Sequence, residues 1–342
     1  MTRFAFAVLA AIAFACGASP SATQAAELEM KQIKLAVGGA PALFYLPLAV
    51  TDRLGYFKDE GLDVQISDFA GGAKSLQALI GGSADVVTGS YDHTIQMAAK
   101  NQPIVAVVEL GQYPGFVLLG LKDKTKGYKS PADLKGMKIG VTAPGSSTNF
   151  MVLYMMAKAG LKPTDATFLG VGAASTAVAA AKRGEIDALV ATDPAATLLE
   201  SEGAVRVLAD TRTQKGTTDV YGGPLPAAVL YVPAAFPEKN PKTTQALVNA
   251  FVRGLKWMRS HSAADIVKLM PAEWALGNPA IYEKSIEKGL PTYSPDGRFG
   301  GGGPDNALKV LKEFDASVQK ASIDLSKTYT NAFVEKALTT VK

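Results

Sequence analysis

The sequence predicts a two-lobed α/β protein, each lobe a sheet flanked by helices. Three observations predict it. Short apolar strands alternate with helical stretches from residue 31 onward, the order that builds parallel-rich sheets with helices on both faces. The pattern then repeats about one hundred residues later. Finally, 342 residues exceed what one hydrophobic core comfortably holds, since single cores stop growing near ~250–300 residues.

The first stretch places strands over 33–37, 62–66, 85–87 and 104–108, with helices over 42–54, 73–80 and 93–99 between them. The second places strands over 137–141, 166–171, 187–190 and 205–208, with helices from 146 to 159, over 175–183 and over 195–199. Gly61-Leu62 recurs as Gly160-Leu161, 99 residues on. Gly72-Ala73-Lys74-Ser75 recurs as Gly172-Ala173-Ala174-Ser175 at an offset of 100, and Gly82-Ser83-Ala84-Asp85 as Gly184-Glu185-Ile186-Asp187 at 102. Ordered matches with small length changes point to two related lobes. After a strand over 227–232 come long helical patterns over 242–261, 263–269, 279–288 and 305–320. A chain that builds one lobe, crosses to a second and returns gives lobe one as 26–113 plus 224–342, and lobe two as 114–223. Gly and Pro punctuate both crossings, at 111–115 and 222–226.

The N-terminus reads as a secretory signal peptide over 1–25. Arg3 precedes an apolar run from Phe4 to Cys16, then small and polar residues. That run is shorter than the ~20 residues needed to span a bilayer, so a membrane anchor is the weaker alternative. Thr23-Gln24-Ala25 fits a small-x-small cleavage site. Cys16 is the only cysteine, and bulky Phe14 beside it fits lipid attachment poorly. Cleavage after Ala25 or Ala26 leaves no thiol for disulfides, nucleophilic catalysis or metal binding. The net charge of +4 is spread without basic blocks, which argues against a nucleic-acid partner.

Ligands of open α/β sheets bind outside the carboxyl ends of strands, beside helix N-termini. Six segments occupy such positions: 38–45, 70–75, 88–93, 143–149, 172–176 and 192–194. They are rich in Gly, Ser and Thr, contain no arginine, and have Lys74 as their only lysine. A bound anion would rest on backbone amides, hydroxyls and helix ends. The candidate ligand-binding residues are Phe44, Tyr45, Gly72, Ala73, Ser75, Ser90, Tyr91, His93, Ser147, Thr148, Asn149 and Asp193. Singly, each Ser or Thr suits a helix cap and each aromatic suits the core; as a converging set they suit a ligand. His93 is one of two histidines and can serve a ligand, titrate or bond backbone. No HExxH, GxSxG or phosphate-loop pattern occurs, and two histidines alone do not make a three-ligand zinc site. The run Gly300-Gly301-Gly302-Gly303-Pro304 reads as a loop with Pro304 at a helix start.

The segment Leu54-Gly55-Tyr56-Phe57-Lys58-Asp59-Glu60-Gly61-Leu62-Asp63-Val64 resembles the signature of periplasmic nitrate/sulfonate/taurine-type binding proteins of ABC importers, a family that also holds pyrimidine-precursor and aromatic-acid binders. Ser130-Pro131-Ala132-Asp133-Leu134-Lys135-Gly136 is similar to the family's entry into lobe two, with Met137 where the family often has lysine. The resemblance spans nearly the whole chain after residue 26. It implies a type II periplasmic binding protein fold, each lobe a mixed sheet flanked by helices. It further implies a periplasmic, monomeric, non-enzymatic protein without cofactor, passing a small organic solute to permease subunits and their ATPase. The ligand classes it leaves open are sulfonate, carboxylate and aromatic acid. Relatives of this fold also make a thiamine pyrimidine, but they carry a cysteine-rich motif absent here; a ligand-sensing module is the other alternative.

Overall fold

A computed structural model describes residues 27–341; the expected signal peptide and Cys16 lie outside the described residues. The chain forms two five-stranded mixed sheets flanked by helices, the two-lobed arrangement expected.

The first sheet contains β1 (Gln32–Val37), β2 (Asp63–Asp68), β3 (Val86–Ser90) and β4 (Ile104–Glu109). The second contains β5 (Val117–Leu121), β6 (Lys138–Val141), β7 (Thr167–Gly170), β8 (Ala188–Ala191) and β9 (Val205–Asp210). The chain then returns to the first with β10 (Ala228–Pro233). Strand orders are β2-β1-β3-β10-β4 and β7-β6-β8-β5-β9. In each sheet the first three of these run parallel. In each, one antiparallel strand is inserted next to the edge: β10 between β3 and β4, β5 between β8 and β9.

The sequence repeat has a structural cause. The Asp85 carboxylate accepts from the Lys34 amide at 2.8 Å, and Asp85 donates its own amide to the Lys34 carbonyl at 2.8 Å. Asp187 makes the same pair with Lys138, at 2.8 and 2.7 Å. This reciprocal bond fixes the register of β1 against β3 in the first sheet and of β6 against β8 in the second. Glycines with left-handed backbone, Gly82 at φ 73° and Gly184 at φ 67°, end the preceding helices and let the chain turn into those strands.

Two differences from the sequence expectation matter. The strand β5 is absent from the expected list. Its run Phe116-Val117-Leu118-Leu119 is continuously apolar and fully buried, so it lacks the alternation that marks a half-buried strand. The helix expected over 305–320 is two helices, Gly303–Lys312 and Ala316–Lys320. Asp315 breaks it by capping the second, accepting from the Ser317 and Val318 amides. Helices Gln214–Tyr221 and Ala332–Thr340 were also not anticipated.

At Gly89 in β3, a Cβ atom would run into the ring of buried Tyr231 from the adjacent strand β10. Gly89→Ala should therefore destabilise the fold by about 1–3 kcal/mol, the usual scale for overpacking. Gly127, with nothing within 4 Å of such a Cβ, is the control: Gly127→Ala should stay within about 0.5 kcal/mol. Denaturant titration of both variants checks this, and equal midpoints would refute the packing argument.

Candidate functional site

The loops after β1, β3, β6, β7 and β8 converge on a small cavity of about 30 Å³. Both lobes wall it. From the first come Phe44 and Tyr45 after β1, Gly72 at the start of helix Gly72–Ile80, Ser90 at the end of β3, and His93 in helix Asp92–Ala99. From the second come Phe116 leading into β5, Thr142 after β6, Ser146 to Thr148 at the start of helix Ser147–Lys158, and Thr192 after β8. No lysine or arginine lines it. Three helix N-termini point toward the space, so an anion would meet partial positive charge from the backbone rather than a formal cation.

The lobes touch directly around the cavity. The Ala73 amide donates to Ser146 Oγ at 2.9 Å. Ser147 Oγ donates to Asp92 Oδ1 at 2.8 Å. The Leu43 amide donates to the Asp193 carbonyl at 2.8 Å. Phe44 stacks on Phe116, with centroids 5.4 Å apart and planes 24° from parallel. Each contact joins a loop or helix start of one lobe to that of the other, and each would be broken by separation of the lobes.

Seven of the expected residues line the cavity: Phe44, Tyr45, Gly72, Ser90, His93, Ser147 and Thr148. Gly72 is pinched in: a Cβ there would lie 3.3 Å from the His93 ring and 3.7 Å from the Tyr45 hydroxyl. Tyr45 is buried and its hydroxyl is held protonated, raised by desolvation and by Asp68 and Asp92 nearby. Ser90 is buried, and its hydroxyl has no hydrogen-bond partner among the described residues. The Thr148 hydroxyl, by contrast, is engaged by Thr142, accepting from its amide at 3.1 Å and sharing a bond with its hydroxyl at 2.8 Å.

Five expected residues do not line the cavity. Tyr91 is fully buried in the first lobe, its hydroxyl bonded to Thr328 Oγ1 at 2.6 Å, its ring packed on Phe299 and Tyr329. It lies on the core side of the chain, while its neighbours Ser90 and His93 face the cavity. Ser75 is also buried, with its hydroxyl donated to the Gly72 carbonyl at 2.9 Å. Ala73 contributes its amide to the inter-lobe bond rather than to the cavity. Asn149 turns back, its Oδ1 accepting from the Gly145 amide at 3.0 Å, while its Nδ2 is buried without a partner. Asp193 offers its main-chain carbonyl across the cleft. Its carboxylate is taken by the Thr197 amide at 2.8 Å and by Arg212 at 3.4 Å.

Arg212 stands two residues after the end of β9, outside the six segments singled out in the sequence. It is nearly buried and gathers Asp193, Glu200 and Asp210, with Nη2 at 2.9 Å from Glu200 and 2.6 Å from Asp210. Phe116, Thr142 and Ser146 were likewise absent from the candidate set. Ser146 sat in a recognised segment, but its expected use was to cap its own helix. It makes no such cap and spends its oxygen on the other lobe.

His93 is completely buried. Its Nδ1 lies 3.4 Å from the Tyr231 hydroxyl, and its Nε2 has no partner. Desolvation lowers its pKa, opposed by the nearby Asp92 carboxylate. The neutral imidazole is therefore the resting form, although a backbone contact with Gly145 works against that shift. Among the described residues no group of three or more His, Cys, Asp or Glu side chains is placed to hold a metal ion. The lowered pKa carries a stability consequence. Below about pH 6.5 the unfolded chain protonates this histidine while the folded chain resists, so folding stability falls as pH drops. In His93→Gln that part of the slope should vanish. Unfolding free energies of both proteins from about pH 7.5 to about pH 5 measure it; parallel curves would show that His93 is not held neutral.

Comparison with known proteins places this geometry. The NMT1/THI5-like family model matches residues 45–264. A solved structure from Bordetella bronchiseptica RB50 is 47% identical, with a TM-score of 0.88 over 91% of this chain and 98% of that one. The riboflavin-binding protein RibY of Chloroflexus aurantiacus is 24% identical over 93% of this chain and 90% of its own length. The alkanesulfonate-binding protein SsuA of Xanthomonas axonopodis pv. citri, solved with MOPS bound, is 19% identical and shares the fold. Its TM-score is 0.69 over 90% of this chain and 100% of that one. With the family model covering well over half its length, the chain belongs to the NMT1/THI5-like family.

Proposed function

We propose that this protein is the solute-capturing component of an ABC importer, holding a small organic acid between its lobes and presenting it to the permease subunits and their ATPase. The observation that carries the reading is the cavity itself, walled by the carboxyl-end loops of both sheets and framed by hydrogen bonds between the lobes. A molecule touching both walls binds best when the lobes are together, and only that difference in contact can shift the equilibrium toward closure. Relatives whose names record small-molecule binding, SsuA and RibY, support the same reading.

In this scheme the lobes comprise 26–113 with 224–342, and 114–223, with the chain crossing at 111–115 and 222–226. The protein acts as a monomer in the periplasm after removal of residues 1–25. The ligand's charged end sits among Ser90, His93 and the helix N-termini, and its apolar part lies against Phe44 and Phe116. Without a cation on the walls, a carboxylate suits the site better than a sulfonate, whose weaker acceptor oxygens gain less from hydroxyls and amides alone. The site binds rather than catalyses in this reading. Ser147 is committed to Asp92, and His93 to Tyr231 on one side and to the ligand on the other.

Two substitutions separate ligand contacts from scaffold. Ser90 has a hydroxyl without a protein partner, so Ser90→Ala should weaken ligand binding by about 1 kcal/mol, roughly fivefold, with little change in folding stability. Thr148→Ala removes the bond to Thr142 and should lower folding stability by about 1 kcal/mol. The ligand is first identified by mass spectrometry of small molecules released on denaturing the purified protein, and calorimetry then gives affinities. An unchanged affinity in Ser90→Ala would remove Ser90 from the site.

A further inference from the structure

A second concavity opens on the hinge side of the molecule, away from the cavity above. Its volume is about 450 Å³ and it is lined by Glu109 at the end of β4, residues of both crossings, the loop from Pro295 to Gly303, and Gln214 and Thr218 of helix Gln214–Tyr221. Glu109 is only 7% exposed. Its amide donates to the Gly297 carbonyl at 2.8 Å, but no described residue donates a hydrogen bond to its carboxylate. Burial, with Asp296 nearby, pushes this carboxyl up to about 8. A carboxylate largely removed from water and without a protein partner is costly. The one cationic side chain lining the groove, Arg298, is already neutralised: its Nε lies 2.9 Å from Asp296 Oδ2.

We propose that this groove is a second ligand site, taking a small organic cation whose ammonium group pairs with Glu109. The class follows from the walls. Tyr113, Leu225, Pro226 and Pro295 give one apolar stretch of wall among the polar side chains of Gln112, Gln214 and Thr218, which suits a compact alkyl or aryl body carrying one polar end. Raised to about 8, this carboxyl is largely protonated near neutral pH and ionises as an ammonium pairs with it; a single carboxylate does not make the ligand set of a metal ion. Gln214 and Thr218 come from the second sheet's side and Glu109 from the first, so an occupant touches both lobes across the crossings. Its binding is thereby linked to the same lobe movement that the main cavity uses. The site stands independently of which solute fills that cavity.

The probe is benzylammonium chloride, titrated calorimetrically into the purified protein, with benzyl alcohol as the uncharged analogue. Saturable one-to-one binding of the amine is expected, and none of the alcohol. Glu109→Gln should weaken the amine by about tenfold or more, equivalent to about 1.4 kcal/mol. Thr218→Arg, at an exposed position on the groove's far wall, should do the same by placing a competing cation in the groove, and it leaves the buried position intact should Glu109→Gln fail to fold. Absence of saturable binding to the wild type, equal binding of benzyl alcohol, or wild-type affinity in either folded variant would overturn the proposal.

Discussion

The antiparallel strand inserted into each sheet constrains everything else in this molecule. β10 can reach its slot between β3 and β4 only after the chain has built the second sheet, and β5 enters its own slot between β8 and β9 directly from the first. Each sheet is thus completed by a strand at a crossing, and the lobes are tied by short segments at two places. The parallel strands β1, β3, β6 and β8 then send their carboxyl ends toward one another. The cavity is where those ends meet, and its location follows from topology before any side chain is chosen.

Side chains decide what the meeting place does. Hydrogen bonds at Ala73–Ser146, Ser147–Asp92 and Leu43–Asp193 join the lobes, along with ring contacts of Phe44 with Phe116 and of Phe150 with His93 and Phe314, inside an apolar cluster that draws on both. A neutral hydrogen bond of this type contributes only about 0.5–1.5 kcal/mol net, and one to a carboxylate such as Asp92 about 1.5–3 kcal/mol, because both groups regain water when the lobes part. Contacts on this scale leave the balance between parted and touching lobes open to a ligand. The rigid parts lie just behind them. Arg212 ties Asp193, Glu200 and Asp210 together, so the turn that presents the Asp193 carbonyl to Leu43 keeps its shape. Tyr91 and Thr328 anchor the segment that carries Ser90 and His93.

Much of this was legible in the sequence because repetition and strand-end glycines are local signals. The Gly-Ser-Ala-Asp and Gly-Glu-Ile-Asp matches mark the same amide-locking aspartate in both sheets. The loops that form the cavity were recognised from their Gly, Ser and Thr content at strand ends. What stayed hidden depends on direction rather than composition. Ser90, Tyr91, Asp92 and His93 are consecutive, yet only the backbone path shows that Tyr91 faces the core. Ser146 and Asn149 both read as helix-start residues, but one reaches the other lobe and one folds back on Gly145. The strand β5 escaped because full burial erases its period, and Phe116, at its threshold, escaped with it.

The central claim is that a ligand in the cavity draws the two lobes together. Pulsed electron–electron spin resonance tests it most directly, with one spin label on each lobe at exposed Lys58 and exposed Thr167, each replaced by cysteine. Protein freed of small molecules by unfolding and refolding should give a broad, longer distance distribution. Adding back the molecule released from the native protein should convert it to a single shorter distance matching the touching lobes. A distribution that is the same with and without that molecule would contradict the account.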